Sequence, residues 1–214
     1  MPHEASVTVV VPMKPLSESK TRLSDHLDSE ERAELSAVML ASVLGTLRDS
    51  RVSGTVVVGG DERVQAIAED HNATWSPDRY NDLNLAVNGA FKRVWDAGGA
   101  AAYIPGDLPL LTDSDVLGLV ELVSHTNGIT ICPAHDGGTN ALVVPADLEF
   151  TPKLGSESHR KHRGQAMDLN IEFREFWTPG FELDVDTVTD LRQCLDSLPS
   201  YIRSFVKPDG VAER

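Results

Sequence analysis

Ala100-Ala101-Ala102-Tyr103-Ile104-Pro105-Gly106-Asp107-Leu108-Pro109-Leu110-Leu111 is the stretch whose reading decides the fold. Residues 100–104 read as a buried strand, because small and apolar side chains follow a Gly-Gly break and stop at a proline. Asp107 falls just past the carboxyl end of that strand, between two prolines that restrict the backbone around it. In an open α/β sheet, ligands bind outside the carboxyl ends of the strands. An aspartate placed there can hold a divalent cation against a phosphate. A plain turn aspartate is the competing reading, and this stretch alone does not separate the two.

Working outward, residues 7–11 form a β-branched strand that Pro12 ends. Asp28 and Glu31 have the spacing of a capping box and open a helix. Leu35, Val38, Met39, Val43 and Leu47 mark its buried face, and Leu40 and Leu44 off that face predict cover on more than one side. A strand is expected over 55–58, a short helix over 62–71 and a longer one over 83–97. Thr112 and Asp115 cap the helix after the central strand. Strands over 129–132 and 141–144 flank a glycine-bearing turn, a basic helix covers 158–169, and a last strand covers 181–185. Thr187 and Asp190 cap a final helix ending near Pro199. Strands alternating with helices predict a three-layer α/β domain with a mostly parallel sheet. A single domain over 1–206 with a polar tail at 207–214 is expected.

The composition, 41% hydrophobic and 24% charged, is that of a globular chain. No apolar run approaches the roughly 20 residues that span a bilayer, and the N-terminus lacks a signal-peptide layout. Cys132 and Cys194 are far apart and have no metal-type spacing, so a reduced, cytoplasmic protein is expected. A net charge of −14 argues against nucleic-acid binding, which needs a basic footprint. Aspartate outnumbers glutamate and only 6 of the 19 basic residues are lysine, a balance that suits high salt. Against this background the positive charge is concentrated in two segments. Lys14, Lys20 and Arg22 lie early, and His159, Arg160, Lys161, His162 and Arg163 lie late. Such clusters point to a bound anion.

Four constellations bear chemistry. The loop from Pro12 to Arg22 joins the first strand to the first helix, where α/β proteins commonly bind phosphates. It has neither Walker glycines nor a dinucleotide fingerprint, but its lysines and arginine can neutralise a triphosphate. In Asp184-Val185-Asp186, strand periodicity puts both carboxylates on one side, roughly 6.6 Å apart between α-carbons. With Asp107 they make three hard oxygen donors suited to magnesium. Gly137-Gly138-Thr139-Asn140 offers close-approaching amides and a hydroxyl donor to an anion, or else an ordinary hairpin turn. Gly155, Ser158 and His162 open the basic helix, which reads either as an acidic-substrate site or as a solvated face.

Taken together these pieces resemble one family in order and spacing: Pro12-Met13-Lys14-Pro15-Leu16 with Lys20-Thr21-Arg22-Leu23, Leu83-Asn84-Leu85-Ala86, Pro105-Gly106-Asp107-Leu108-Pro109, Gly137 to Leu142, Gly155 with Ser158 and His162, and Leu183-Asp184-Val185-Asp186-Thr187. The family is the 2-phospho-L-lactate guanylyltransferases, with the related phosphoenolpyruvate guanylyltransferases, of deazaflavin coenzyme F-420 biosynthesis. The resemblance runs from about Val7 to Leu195. It implies a nucleotidyltransferase fold, GTP and a small phosphorylated acid as substrates, and a homodimer. It implies Asp107, Asp184 and Asp186 as magnesium ligands, and Thr139, Gly155 and Ser158, with His162 beside them, as the acid's site. Lys14, Lys20 and Arg22 match the motif that handles nucleotide phosphates, Asn84 and Pro105 match nucleotide contacts, and Lys20, Arg22 and Asp107 are the catalytic candidates. Two departures are visible: Leu154 where an aromatic often stands, and Asp82 where glycine often stands. A molybdopterin or sugar-phosphate nucleotidyltransferase, and a noncatalytic nucleotide sensor, are the alternatives.

Overall fold

The computed structural model describes residues 6–123 and 128–193. Its strands are β1 (Val7–Met13), β2 (Gly54–Gly59), β3 (Thr74–Ser76), β4 (Ala100–Tyr103), β5 (Ile129–Pro133), β6 (Thr139–Val144) and β7 (Phe173–Glu175). They form one sheet in the order β3-β2-β1-β4-β6-β5-β7. Only β6 runs against the others, since it pairs antiparallel with both β4 and β5 while the remaining pairs are parallel. The helices are α1 (Ser29–Asp49), α2 (Glu62–Asp70), α3 (Leu83–Asp96), α4 (Asp113–Val123), α5 (Ser158–Asp168), α6 (Pro179–Glu182) and α7 (Val188–Gln193).

Alternation along the central strands sorts the core into two layers. Val7, Val9 and Val11 with Ala100, Ala102 and Ile104 pack against α1, α2 and α4. Val10, Ala101 and Tyr103 face the other way, onto Ala86, Val87, Ala90 and Phe91 of α3 and Ala166 of α5. The expected three-layer arrangement is therefore present. Helix α1 is covered on two sides, as Leu40 and Leu44 predicted. Leu40, Val43, Leu44 and Leu47 meet the sheet, while Leu35 and Met39 enter a third cluster with Leu23, Leu27, Leu183, Val185 and Leu191.

Reciprocal caps start three helices, each satisfying amides that the helix itself leaves open. Asp28 accepts from the Glu31 amide while Glu31 accepts from the Asp28 amide. Thr112 with Asp115, and Thr187 with Asp190, repeat the exchange. Strand β1 runs two residues past its predicted last residue, Val11, through Pro12 to Met13. Its pairing with β4 ends at Val10, while its pairing with β2 continues to Met13. The amide that Pro12 lacks faces the side where the ladder has already ended.

The last predicted strand is not one. Residues 179–182 form α6, whose first residue, Pro179, has the fixed φ that a helix start favours. Residues 183–186 belong to no strand or helix, with Leu183 extended, and are joined to the loop after β4 by the Val185 amide donating to the Asp107 carbonyl at 3.2 Å. Alternation still holds there: Leu183 and Val185 enter the third cluster, leaving Asp184 and Asp186 on the opposite side. Strands β3 and β7 were not foreseen, because three residues at a sheet edge carry too little alternation to register. The end of the final helix near Pro199, Cys194 and the tail at 207–214 lie outside the described residues.

Gly180 seats α6 on the capped start of α4. A Cβ at that position would stand 2.1 Å from Asp115 Oδ2 and 3.1 Å from the Leu110 carbonyl oxygen. Gly180→Ala is expected to cost about 1–3 kcal/mol of stability, read from the urea unfolding midpoint. An unchanged midpoint would show that this contact relaxes freely.

Candidate functional site

Sheet order reverses between β1 and β4, which is where an open α/β sheet leaves a crevice at its carboxyl ends. The loops leaving these two strands line a cleft of about 480 Å³, within the ordinary range for small-molecule sites. Lys14, Lys20 and Arg22 come from the loop after β1, Tyr103, Pro105 and Asp107 from the end of β4, and Asp186 from the segment before α7. Apolar packing closes this arrangement. Leu23 and Leu27, just past the basic loop, pack with Leu183 and Val185, and so bring Lys20 and Arg22 beside the late aspartates.

The Lys20 ammonium, almost wholly buried, binds Asp107 Oδ2 and Asp186 Oδ1, the latter at 2.9 Å. Arg22 reaches Asp186 Oδ2 at 3.1 Å from a more exposed position. Lys20 also holds left-handed backbone, φ 52°, a costly conformation for a lysine. Burial works against the charge on Lys20, but Asp107 and Asp186 outweigh it and the ammonium pKa is raised. Burial would likewise raise the Asp186 carboxyl, yet Lys20, Arg22 and Lys14 bring it below its ordinary value. Asp184 goes the other way: burial and then the Asp107 carboxylate push it up, opposed by a 3.1 Å bond from Asn140 Nδ2.

Carboxylate oxygens of Asp107, Asp184 and Asp186 all lie within 4.8 Å of one another. Asp107 Oδ1 is buried and has no hydrogen-bond partner among the described residues. An orphaned carboxylate oxygen facing two more carboxylates matches the hard-oxygen chemistry of a divalent cation. These residues fit one.

A second group lies outside the lining of the cleft. Thr139 opens β6, where Cys132 of β5 pairs with Ala141 but Pro133 pairs with Thr139. Strand β6 therefore carries one extra residue, Asn140, and the bulge re-aims its neighbours. Thr139 turns to α5, its hydroxyl 2.8 Å from Ser158 Oγ and 3.3 Å from His162 Nδ1, while Asn140 reaches Asp184. Gly155, at φ 101°, has open space where a Cβ would stand. The glycine turn before β6 keeps its amides for itself: Gly137 donates to the Ala134 carbonyl and Gly138 to Asp136 Oδ1. His162 is fully buried, and burial first, with the nearby positive charges of His159, Lys153 and Lys161, lowers its pKa to about 4. Asn84 uses its amide on the backbone of Leu154, accepting from its N–H at 2.6 Å and donating to its carbonyl at 3.3 Å. It thereby fixes the residue before Gly155 rather than lining the cleft.

Residues 7–203 match the family of guanylyl transferases described as CofC-like. The chain belongs to this family. It is 37% identical over 182 residues, 85% of this chain and 84% of the relative, to a phosphoenolpyruvate guanylyltransferase of Roseiflexus castenholzii. It is 33% identical over 193 residues, 88% of this chain and 83% of the relative, to a 2-phospho-L-lactate guanylyltransferase of Methanothrix thermoacetophila. A crystal structure from Desulfovibrio desulfuricans G20, described as a candidate nucleotide-diphospho-sugar transferase, superposes with a TM-score of 0.75 at 18% identity, covering 90% of this chain and 87% of its own. That likeness confirms the nucleotidyltransferase fold.

Within this guanylyl transferase site, three residues escaped sequence reading. Tyr103 lines the cleft, and burial together with the three aspartates raises its pKa, keeping the phenol protonated. Asp190 accepts from the amides of Asp186 and Thr187, fixing the backbone that carries Asp186. Asp61, the cap of α2, accepts from the Leu16 amide at 2.8 Å and ties down the basic loop. Only Asp190 gave any signal, as the cap partner of Thr187, and that signal read as local.

The neutral His162 has a consequence for stability. Its folded pKa of about 4 lies below the ordinary 6.5, so the unfolded chain takes the proton first. Its stabilising contribution is complete above pH 6.5 and is lost as pH falls toward 4, by about 3 kcal/mol. Urea unfolding across that window should show the slope, and His162→Asn should flatten it. Equal slopes in the two proteins would show that His162 stays accessible to protons.

Proposed function

We propose that the chain transfers GMP from GTP to a small phosphorylated three-carbon acid, 2-phospho-L-lactate or phosphoenolpyruvate, with release of pyrophosphate. The observation carrying this reading is the Lys20 ammonium held between Asp107 and Asp186 at the cleft between β1 and β4. It puts fixed cations and a cation-binding carboxylate set where two polyanions must meet. Relatives named for both acids support the acceptor class.

In the proposed reaction, a phosphate oxygen of the acceptor attacks the α-phosphorus of GTP in line. A new P–O bond forms as the bond to the β-phosphate oxygen breaks, and pyrophosphate departs. The acceptor phosphate is already anionic near neutral pH, so no side chain has to remove a proton. Lys14, Lys20 and Arg22 hold the nucleotide phosphates, with Lys20 and Arg22 beside the reacting atoms. Thr139, Gly155 and Ser158 hold the acid. Asp107, Asp184 and Asp186 would hold Mg²⁺, which when bound neutralises phosphate charge as the leaving group departs. A cytoplasmic, homodimeric enzyme belongs to the same proposal.

Pyrophosphate release in magnesium buffer tests it, with GTP paired in turn with each acid and ATP and CTP as controls. Release requiring GTP and one acid is the expected result and names the acceptor. No release from folded protein at low or high potassium chloride would overturn the proposed reaction. Asp107→Asn and Asp186→Asn should each keep the fold and lower turnover about a hundredfold or more. Full activity in a folded Asp186→Asn protein would remove that residue from the site.

A further inference from the structure

The buried trio Thr139, Ser158 and His162 can be solved for its protons. The Lys153 backbone amide lies 2.8 Å from His162 Nε2 and can only donate. A neutral imidazole that accepts at Nε2 carries its proton on Nδ1, so Nδ1–H donates to Thr139 Oγ1, 3.3 Å away. The contact between the Thr139 and Ser158 hydroxyls, 2.8 Å, consumes one hydroxyl proton whichever way it runs. Three protons then serve two internal bonds, and one hydroxyl proton is left to point elsewhere. The opposite tautomer reverses the count: Thr139 would donate to Nδ1, Ser158 to Thr139, and no donor would remain. The hydrogen bonds of the described residues provide the spare proton with no other acceptor.

We propose that His162 is a positioning residue: fixed as the Nδ1–H tautomer by the Lys153 amide, it makes the Thr139–Ser158 hydroxyl pair a donor to the anionic group of the acceptor acid. The idea rests on the reading above that the acid binds at Thr139, Gly155 and Ser158. It adds what those side chains do not show individually, that their usefulness to an anion is set by a ring nitrogen that need never touch it. Neighbouring elements support the lock. Phe150 packs against the ring with centroids 5.8 Å apart, and Asn84 holds the Leu154 backbone beside the Lys153 amide.

Two amide substitutions separate the two nitrogens. His162→Gln places an amide over Nε2, keeping an acceptor for Lys153 but losing the donor to Thr139. His162→Asn places an N–H over Nδ1 and keeps that donor. His162→Gln is expected to raise the acceptor KM about tenfold to a hundredfold, the loss of a hydrogen bond to a charged group, with the GTP KM unchanged. His162→Asn should recover most of that loss, although it surrenders the Lys153 bond. Equal losses in both variants, tracking their unfolding temperatures, would reduce His162 to a packing residue and overturn the proposal. An unchanged acceptor KM in His162→Gln, where Ser158→Ala raises it, overturns the proposal and leaves the acceptor site intact. No change in either protein removes the acceptor site and the proposal together. Nitrogen-15 spectra of the wild-type imidazole give a readout that needs no variant to fold: a proton on Nδ1 is expected, and a proton on Nε2 would sink the idea.

Discussion

Like-charge repulsion among Asp107, Asp184 and Asp186 is the constraint around which this molecule is built. Two carboxylates within 4.8 Å in a half-buried setting repel by about 3 kcal/mol, and the fold gathers three. The Asp184 backbone and a bond from Asn140, 44 residues away, oppose it only at Asp184. The relief comes from sequence positions more than 80 residues away, where Lys20 and Arg22 sit on a loop with no regular structure beyond two 3-10 turns. Leu23 and Leu27 pull the cations into place by burying themselves against Leu183 and Val185, the residues that alternate with the late aspartates. A hydrophobic contact thus sustains an electrostatic arrangement that would otherwise push itself apart.

The sheet supplies the frame. Strands β1 and β4 end side by side in the middle of a seven-stranded sheet whose order reverses between them, so their loops open onto one crevice. Helix α1, at 21 residues the longest described, anchors the basic loop on one side and the core on the other through its two apolar faces. The acidic segment is not part of the sheet. It is tied on by the Val185 amide, the Asp190 carboxylate and the Leu183 and Val185 side chains, each a specific fastening and none of them a ladder.

Much of this was legible in the residues. The central strand with Asp107 at its end, the three reciprocal helix caps and the two-sided cover of α1 follow from periodicity and spacing, which are local rules. The pairing of Lys20 and Arg22 with Asp107 and Asp186 is not legible in the sequence, where the cations point to a bound anion and the aspartates to a divalent cation. What failed did so for physical reasons. Residues 183–185 alternate as a strand does, but alternation reports two environments and not a hydrogen-bonded neighbour. Strands β3 and β7 hold three residues each and borrow their conformation from the strands they border. The partners of Asn84 and His162 are backbone amides of the 153–154 segment, and no pattern of side chains along a chain announces a bond to the main chain.

The extra residue in β6 carries a cost that the sheet need not have borne. Removing Asn140 would let the ladder between β5 and β6 run in unbroken register, with the gain in pairing that regularity brings. It would also leave Asp184 without its amide donor, while Thr139, then next to Ala141, would stay on the α5 side with Leu142 and Val144. Selection for thermal tolerance alone would therefore favour losing this residue, while selection for catalytic competence would keep it. The bulge is where those two pressures on the sequence pull in opposite directions, within a single peptide unit.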